Sequence, residues 1–394
     1  MGNLPKALLV GSSFSAAPIF FALKNYGLHV AVCGNIKTDP CHQYADASFY
    51  IDYSKPEELM RVVESEKFDY LVPTCNDYAY MSCVLVAEKY GFHGFDHADM
   101  ANSLHVKSHF RQLTEKHLLP APRFGKYKEG QPLETWQWRF PILVKPVDSF
   151  SGRGMTKVMN QSELPAAVRD AIQMSRSREA VLEEFIDGSL HSHSAFLEKH
   201  KVALDLFVDE FCTVYPYQVN CSNHPSVLPD ATRSAVRRAI NQLASALGLH
   251  DGLLHTQFIV KGDEFWIIEC MRRCPGDLYG ALIEFSTGLN YADLFVRPFL
   301  NRTLPPESGE ITVKYFGRHT ISTDNPLVNF SFSHNIPACS VEIVSLKGSG
   351  EKLGAAPFDK LAILFAEYES RETMLEVTPR LADFVQIRTL GNKT

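Results

Sequence analysis

The sequence predicts an α/β fold that begins with a parallel sheet covered by helices. The first observation is an alternation in the N-terminal third, where short apolar runs typical of buried strands alternate with helical segments. The second is a pair of strand-like runs, 255–260 and 265–268, joined by a short polar turn. The third is a globular composition of 394 residues, 45% hydrophobic and 21% charged. This length is sufficient for two or three domains with their own cores.

Charge and cysteine usage narrow the class of protein. Lys and Arg number 39 and Asp and Glu number 45, so the formal net charge is −6. The sequence shows no basic run, no signal peptide and no long apolar stretch, so we expect neither nucleic acid nor a membrane as a partner. The nine cysteines form no C-x-x-C pair. They are typical of free thiols in a reducing compartment, and we expect a cytoplasmic protein.

The N-terminal elements justify the parallel sheet. Its predicted elements, in order, are strand Lys6–Val10, helix 16–25, strand 28–33, strand 50–53, helix Pro56–Ser65 and strand Tyr70–Pro73. The turn Gly11-Ser12-Ser13 lies between strand and helix, where backbone N–H groups can hold an anion. It lacks the G-x-G-x-x-G pattern, so a plain tight turn is the simpler interpretation. Asp77 follows a strand end, where it either contacts a ligand or caps a helix.

The middle of the chain carries residues suited to phosphate binding. An apolar strand, 140–144, is followed by Lys145, and a loop rich in glycine and serine, 149–155, comes next. An ammonium group neutralises phosphate oxygens, and a flexible backbone donates N–H groups to them. A further strand, 180–186, ends at Gly188.

The hairpin at 255–277 brings a carboxylate and two arginines together. The apolar run 265–268 ends in Glu269, and Arg272 and Arg273 precede Pro275. A carboxylate at the end of a buried strand loses hydration and needs a cation. The cation is either an arginine in an internal ion pair or a metal ion.

The order of these motifs resembles the ATP-grasp superfamily over most of the chain, in particular biotin carboxylase-like and L-amino-acid ligase-like members. The resemblance implies a Rossmann-like preATP-grasp domain at 1–100 and a two-lobed α+β ATP-grasp domain at 101–305, with a lid lobe at about 124–187. It also implies a small β-rich C-terminal subdomain at 306–394. The implied activity is an ATP-dependent, ADP-forming ligase that activates a carboxylate as an acyl phosphate and joins it to an amine, possibly an amino acid.

The resemblance also implies roles for individual residues. Lys145, Arg272 and Arg273 are the implied catalytic residues, and Arg273 stabilises charge on the transferred group. Glu269 and Gln257 would hold Mg²⁺, with Mn²⁺ as a substitute. Adenine would be read by backbone groups of Glu184 and Ile186, with Glu183 as a side-chain contact. The full set implied to bind ATP is Lys107, Lys145, Ser149, Ser151, Gly152, Gly154, Met155, Glu183, Glu184, Phe185, Ile186 and His191.

Three positions depart from the family pattern. Gln257 stands where a metal-binding carboxylate is expected, Met271 where an asparagine is expected, and Leu190 where an acidic ribose contact is expected. An amide oxygen ligates Mg²⁺, whereas a thioether is a poor ligand. The alternative function is therefore a non-catalytic nucleotide-binding or regulatory protein with a degenerate metal site.

Substrate and partner predictions complete the set. Small-molecule carboxylate and amine substrates are expected, and a homodimer is compatible with the sequence. Arg272 or Arg273 would anchor the carboxylate, Arg318 is a weaker candidate, and Asp277 either takes the amine or caps a helix. The alternation of residues 191–194 puts both histidines on one face, where with His255 they would line the cleft. We favour hydrogen bonding over zinc for these histidines.

Overall fold

The computed structural model describes residues 4–133, 137–148, 154–306 and 312–389. A four-stranded parallel sheet opens the chain, in the order β3-β2-β1-β4. Its strands are β1 (Lys6–Val10), β2 (His29–Cys33), β3 (Ala47–Phe49) and β4 (Tyr70–Pro73). The accompanying helices are α1 (Ala17–Asn25), α2 (Pro40–Tyr44), α3 (Pro56–Ser65) and α4 (Asp77–Tyr90).

Two short helices lead from this domain to a small antiparallel sheet. They are α5 (Ala98–His105) and α6 (Lys107–Lys116). The sheet, which we call the lid sheet, has the order β5-β8-β6-β7, and α7 (Leu164–Met174) packs on it. Its strands are β5 (Phe124–Lys128), β6 (Ile142–Pro146), β7 (Thr156–Val158) and β8 (Glu179–Glu184). The lid sheet therefore has an apolar core of its own.

The rest of the chain builds an eight-stranded antiparallel sheet, which we call the large sheet. Its order is β13-β12-β9-β10-β11-β14-β17-β16. Its strands are β9 (Ser189–Glu198), β10 (Lys201–Phe211), β11 (Cys221–His224), β12 (Gly252–Lys261), β13 (Glu264–Met271), β14 (Tyr315–Ile321), β16 (Ser340–Ser345) and β17 (Ala362–Tyr368). Because β14, β16 and β17 belong to the same sheet as β9–β13, this sheet continues across the boundary predicted at residue 305.

Helices cover the large sheet, and a two-stranded sheet closes the chain. The helices are α8 (Asp230–Leu247), α9 (Tyr279–Thr287), α10 (Tyr291–Val296) and α11 (Arg371–Val377). The closing strands are β15 (Phe330–His334) and β18 (Val385–Thr389). Residues of α9 and α10 share one core with the N-terminal sheet. This packing brings the segment between β13 and α9 against the first turn of the chain.

Most predicted elements are present, and one differs. The strand predicted at 50–53 is wrong, because the chain pairs with β2 through β3 instead. Val106 is extended, with φ −86° and ψ 116°, and separates α5 from α6. Among the residues that the structure describes, no helix has both the length and the apolar character needed to cross a membrane. All nine cysteines are free thiols.

Candidate functional site

A large cleft of about 1600 Å³ lies where the N-terminal sheet, the lid sheet and the large sheet meet. Its walls contain most of the residues predicted from the sequence. Those among the described residues are Lys107, Lys145, Met155, Glu183, Glu184, Phe185, Ile186, His191, Gln257, Glu269 and Arg273. Arg272 and Gly154 do not line the cleft. The three layers thus collect residues that are far apart in the chain.

A buried group of three charged side chains joins the lid sheet to the large sheet. Lys145 on β6 donates to Glu183 on β8, with a distance of 2.6 Å from Nζ to Oε2. Arg111 on α6 donates to the same carboxylate from Nε and Nη2, at 2.7 and 3.2 Å. Arg111 also donates to the carbonyls of Ile267 and Ile268 on β13. Because two of these side chains lie in the lid sheet and Arg111 reaches β13, the group fixes the base of the lid.

Burial and mutual attraction determine the charges of this group. Burial lowers the pKa of Lys145 to about 8, although Glu183 opposes the shift. Burial alone would raise the pKa of Glu183, but Arg111 and Lys145 lower it to about 2. Near neutral pH the group therefore has two cations and one carboxylate. The surplus positive charge at the cleft wall is suited to phosphate oxygens.

The lowered pKa of Lys145 predicts a pH dependence. As pH rises through about 8, Lys145 loses its proton, so kcat/KM for ATP should fall about tenfold per pH unit above that value. The Lys145→Arg variant keeps its charge in this range and should lack the alkaline decline. The measurement is kcat/KM for ATP between pH 6.5 and 9.5. A wild-type profile that stays level above pH 8.5 would contradict the assignment.

The predicted lid loop is only partly within the described residues. Ser149, Ser151 and Gly152 lie outside them. Gly154 has φ +72°, and a Cβ there would lie 2.8 Å from Pro146 Cγ. Both facts require glycine at the end of the loop.

The hinge after β8 has the backbone groups expected for adenine recognition. The N–H of Glu184 donates to Arg123 O, and that of Phe185 to Pro141 O. Nothing among the described residues accepts a hydrogen bond from the N–H of Ile186. The free N–H of Ile186 is compatible with the prediction that backbone groups of the hinge read adenine, and that role stays a prediction. The Glu183 side chain, expected to contact adenine, is committed to Lys145 and Arg111 instead.

Glu269 and Gln257 face each other across β12 and β13, where the sequence predicts the metal. Among the described residues, no hydrogen bond or ion pair engages the Glu269 carboxylate. Gln257 donates from Nε2 to Glu210 Oε2 at 2.6 Å, so its amide oxygen is the atom left for a cation. Burial raises the pKa of the Glu210 carboxyl. The donor set of one carboxylate and one amide oxygen fits a Mg²⁺ ion that takes its other ligands from phosphates and water.

Arg273 is held in the cleft by the N-terminal domain. Its Nη2 lies 2.7 Å from Asp77 Oδ2, and His105 Nδ1 lies 3.2 Å from the other oxygen of that carboxylate. Burial would raise the pKa of Asp77, but Arg273 and His105 hold it well below its usual range. Asn76, not Asp77, caps helix α4 by accepting from Tyr78 N. Asp77 is therefore the partner that orients Arg273.

Arg272 points away from the cleft, which does not favour its predicted catalytic role. Its Nε donates to Asp96 Oδ2 at 2.8 Å. Its other nitrogens donate to backbone carbonyls, including those of Leu253 at 2.8 Å and His250 at 2.6 Å. A guanidinium with its donors committed in this way stabilises the start of β12. Arg273 remains the candidate anchor for a substrate.

The predicted amine position, Asp277, is already paired. Its carboxylate accepts from Lys360 Nζ, and its carbonyl accepts from Arg318 Nη1 at 2.9 Å. Its N–H donates to Ser15 Oγ at 3.2 Å. Asp277 therefore ties the turn before α9 to the N-terminal and C-terminal parts of the chain, which leaves less of its charge for an amine.

The histidines do not form a zinc site. His193 packs on Phe207 and lies 3.0 Å from Asp205 Oδ2. His255 lies on the opposite face of the sheet, where its Nδ1 is 3.0 Å from Ser194 Oγ. The expectation that all three histidines line the cleft is therefore wrong. His191, held between Ser189 and Asp209, and His255 do line it, whereas His193 does not. Within the described parts of the chain, no three His, Cys, Asp or Glu residues are arranged to hold a metal.

The first turn also proves to be structural. Gly11 N donates to Cys33 O at 2.9 Å, so it is not available to an anion. A Cβ on Gly11 would lie 2.1 Å from Thr74 Oγ1. Both facts favour the plain tight turn, and the neighbouring Ser12 and Ser13 line the cleft.

Three important site residues were missed from the sequence: Arg111, Asp77 as an ion-pair partner, and Glu210. For Arg111 a signal exists, because it lies four residues after Lys107 and so on the same helix face. For Glu210, the alternation of side chains along β10 indicates which face of the sheet it lies on, but it does not indicate that Gln257 is its partner.

Comparisons with known proteins agree with this geometry. A model of the ATP-grasp domain matches residues 138–279. A formate-dependent phosphoribosylglycinamide formyltransferase of Prochlorococcus marinus (strain MIT 9515) is 25% identical over 343 residues, covering 86% of this chain and 86% of that enzyme.

Solved structures show the same fold. The L-amino acid ligase from Bacillus licheniformis has a TM-score of 0.83 and 19% identity over 99% of this chain and 100% of its own. The biotin carboxylase domain dimer of Hydrogenobacter thermophilus 2-oxoglutarate carboxylase, solved with MgADP and bicarbonate, has a TM-score of 0.79. It is 15% identical and covers 98% of this chain and 91% of its own.

The predicted class, an ADP-forming ATP-grasp ligase that uses ATP and Mg²⁺, agrees with these comparisons. The resemblance inferred from the order of the motifs is confirmed: residues 138–279 match the model of the ATP-grasp domain, and the chain has the fold of the L-amino acid ligase.

Proposed function

We propose that this protein is an ATP-dependent, ADP-forming ligase that activates a small carboxylate as an acyl phosphate and joins it to an amine. The observation that carries the proposal is the single cleft. It brings together the surplus positive charge at Lys145, the oriented Arg273 guanidinium and the Glu269 carboxylate, which has no partner among the described residues.

ATP would bind between the lid sheet and the large sheet. Lys107 and Lys145 supply positive charge to the phosphates, and the hinge at Glu184 and Ile186 supplies backbone groups to adenine. Mg²⁺, held by Glu269 and Gln257 together with phosphate oxygens, would neutralise the charge on the transferred group.

The substrate carboxylate would be anchored by Arg273. One of its oxygens attacks the γ-phosphorus, the bond to the β-phosphate bridging oxygen breaks, and ADP leaves with the bonding electrons. An amine nitrogen then attacks the acyl carbon, inorganic phosphate leaves, and the amine proton passes to solvent. Because Asp77 and His105 fix Arg273, little reorganisation is needed as charge develops.

An amine that carries no phosphate fits the N-terminal end of the cleft better than a phosphoribosyl amine does. The described lining residues from this domain include Asp39 but no Lys or Arg, and Asp77 is already paired with Arg273. Asp39 accepts from Ser12 Oγ at 2.6 Å, so the mouth of the first turn is anionic. A phosphate ester would meet repulsion there, whereas an amino acid or another small amine would not.

The test combines ADP release with trapping by hydroxylamine. The purified chain is supplied with ATP, Mg²⁺ and pools of small carboxylates, and hydroxylamine converts any acyl phosphate to a hydroxamate. We expect carboxylate-dependent hydroxamate and ADP in the wild type, and neither in Lys145→Ala or Glu269→Ala. The exposed residues Lys261 and Glu264 lie nearby, so Lys261→Ala and Glu264→Ala are matched controls that should retain activity.

The alternative is a non-catalytic nucleotide-binding protein, which the departures at Gln257 and Met271 favour. Calorimetric binding of ATP with no turnover from any pool would support it and overturn the ligase. We further propose a cytoplasmic protein with small-molecule substrates, and with neither nucleic acid nor a membrane as partner. A homodimer is the oligomer to test by light scattering.

A further inference from the structure

Three residues form a polar row on the cleft-facing side of the large sheet. Glu210 on β10 is directly opposite Ser222 on β11, and Ser222 is directly opposite Arg318 on β14. Directly opposite residues of antiparallel strands share one face of the sheet. Glu210 and Arg318 both line the cleft, on the side of the metal pair that faces away from the lid.

All three side chains are buried, with exposed fractions of 5% for Glu210, 0% for Ser222 and 3% for Arg318. Arg318 donates from Nη2 to Ser222 Oγ at 2.8 Å and from Nη1 to Asp277 O at 2.9 Å. Its Nε has no hydrogen-bond partner among the described residues. The cation thus has neutral partners only and keeps one donor for another group.

Glu210 is a buried carboxyl group that, like Arg318, has no oppositely charged partner among the described residues. Its Oε2 accepts from the neutral amide of Gln257 at 2.6 Å, and no ion pair joins it to Arg318 or to any other described cation. Burying an unpaired carboxylate or guanidinium is costly, because the charge loses its hydration. Here a carboxyl group and a guanidinium are buried on one cleft wall with no direct ion pair between them, so a ligand with both an ammonium group and a carboxylate would give each of them a partner.

We propose that Glu210 and Arg318 form the subsite for the amine substrate, and that this substrate is an α-amino acid bound as a zwitterion. Glu210 takes its ammonium group and accepts the proton that the nitrogen must lose before it attacks the acyl carbon, and Arg318 takes its carboxylate. This inference rests on the proposed ligase function and names its second substrate. The hydrogen bond from Gln257 to Glu210 places the amine next to the metal pair, where the acyl phosphate forms.

Asp277 supports this assignment by elimination. It is a second carboxylate at this end of the cleft, but Lys360 already neutralises it. Glu210 is therefore the carboxylate better suited to attract an ammonium group here.

The test separates the amine subsite from the first half of the reaction. Glu210→Gln and Arg318→Gln are compared with wild type in two assays with one accepted carboxylate. The first assay is hydroxamate formation with hydroxylamine, which is uncharged and has no carboxylate. The second is ADP release driven by three amino acids and their decarboxylated counterparts: L-alanine and ethylamine, L-leucine and isoamylamine, and L-phenylalanine and phenethylamine.

We expect both variants to show KM values for amino acids raised at least about thirtyfold, a larger change than either variant causes in hydroxamate formation. Wild type should prefer each amino acid to its decarboxylated counterpart. Arg318→Gln should lose this preference, because the carboxylate no longer has a partner. Glu342→Gln, an exposed carboxylate on β16 of the same sheet, is the matched control.

Other outcomes overturn the inference. If Glu210→Gln raises the Mg²⁺ concentration needed for hydroxamate formation and leaves the KM for amino acids unchanged, Glu210 serves the metal. If decarboxylated amines work as well as amino acids in wild type, Arg318 has no such role. If wild type forms no hydroxamate, the proposed function fails. In that case calorimetric titration of the same amino acids into wild type and both variants still tests the subsite, and equal binding or no binding overturns it.

Discussion

Replacing Arg273 with lysine is expected to lower the rate of acyl-phosphate formation by about 10²–10³-fold, the usual cost of removing one preorganised donor from a developing charge. The guanidinium donates to Asp77 from one nitrogen and to Cys274 O from another, while Nε has no partner among the described residues. A lysine ammonium can keep the charge contact with Asp77, but it lacks the planar set of donors. The measurement is single-turnover hydroxamate formation at saturating ATP.

The neighbouring residue provides the contrast. Arg272→Lys should weaken the contacts with Asp96 and the carbonyls before β12, lowering the melting temperature while the folded enzyme keeps its rate. Arg273→Lys should lower the rate and leave the melting temperature nearly unchanged. Equal rate losses in the two variants would contradict the separation of roles.

Replacing Arg111 with methionine is expected to reduce the free energy of unfolding by about 3 kcal/mol, because the buried Glu183 carboxylate and two buried carbonyls lose hydrogen-bond donors. Arg111 has an exposed fraction of 1%, and its two donors to Glu183 are accompanied by two to carbonyls of β13. Lys145 would remain as the only cation on Glu183, and the two carbonyls would lose their donor. Urea denaturation followed by fluorescence gives the difference.

The matched variant is Lys116→Met on the same helix. Lys116 is exposed, so its replacement should change stability by no more than about 0.5 kcal/mol. A similar small change in Arg111→Met would show that the group of three charges contributes little to stability.

Local patterns predicted the elements that depend on local sequence. Strand Lys6–Val10 and helix Pro56–Ser65 agree to the residue, because apolar runs and a proline start are properties of the segment itself. The strand predicted at 50–53 is wrong, because pairing with β2 selected Ala47–Phe49 and no local signal distinguishes the two.

In the candidate site too, the residues that stand in local motifs were predicted, and their partners from distant parts of the chain were not. Lys145, Glu269 and Arg273 were found because each stands in an ordered motif, and the structure places all three in one cleft. Their partners are distant in the chain: Arg111 is 72 residues from Glu183, Asp77 is 196 from Arg273, and Glu210 is 47 from Gln257. Such contacts depend on the tertiary arrangement, which one sequence does not reveal.

The continuous large sheet has a consequence for truncated forms of the protein. The segment matched by the ATP-grasp domain model, 138–279, contains β9–β13 but ends before β14, the strand that pairs with β11. A fragment ending there would expose β11 as an unprotected edge and would lack Arg318 and Lys360. Unpaired edges of this kind template aggregation. A nascent chain should therefore keep β11 as an open edge until β14 has left the ribosome.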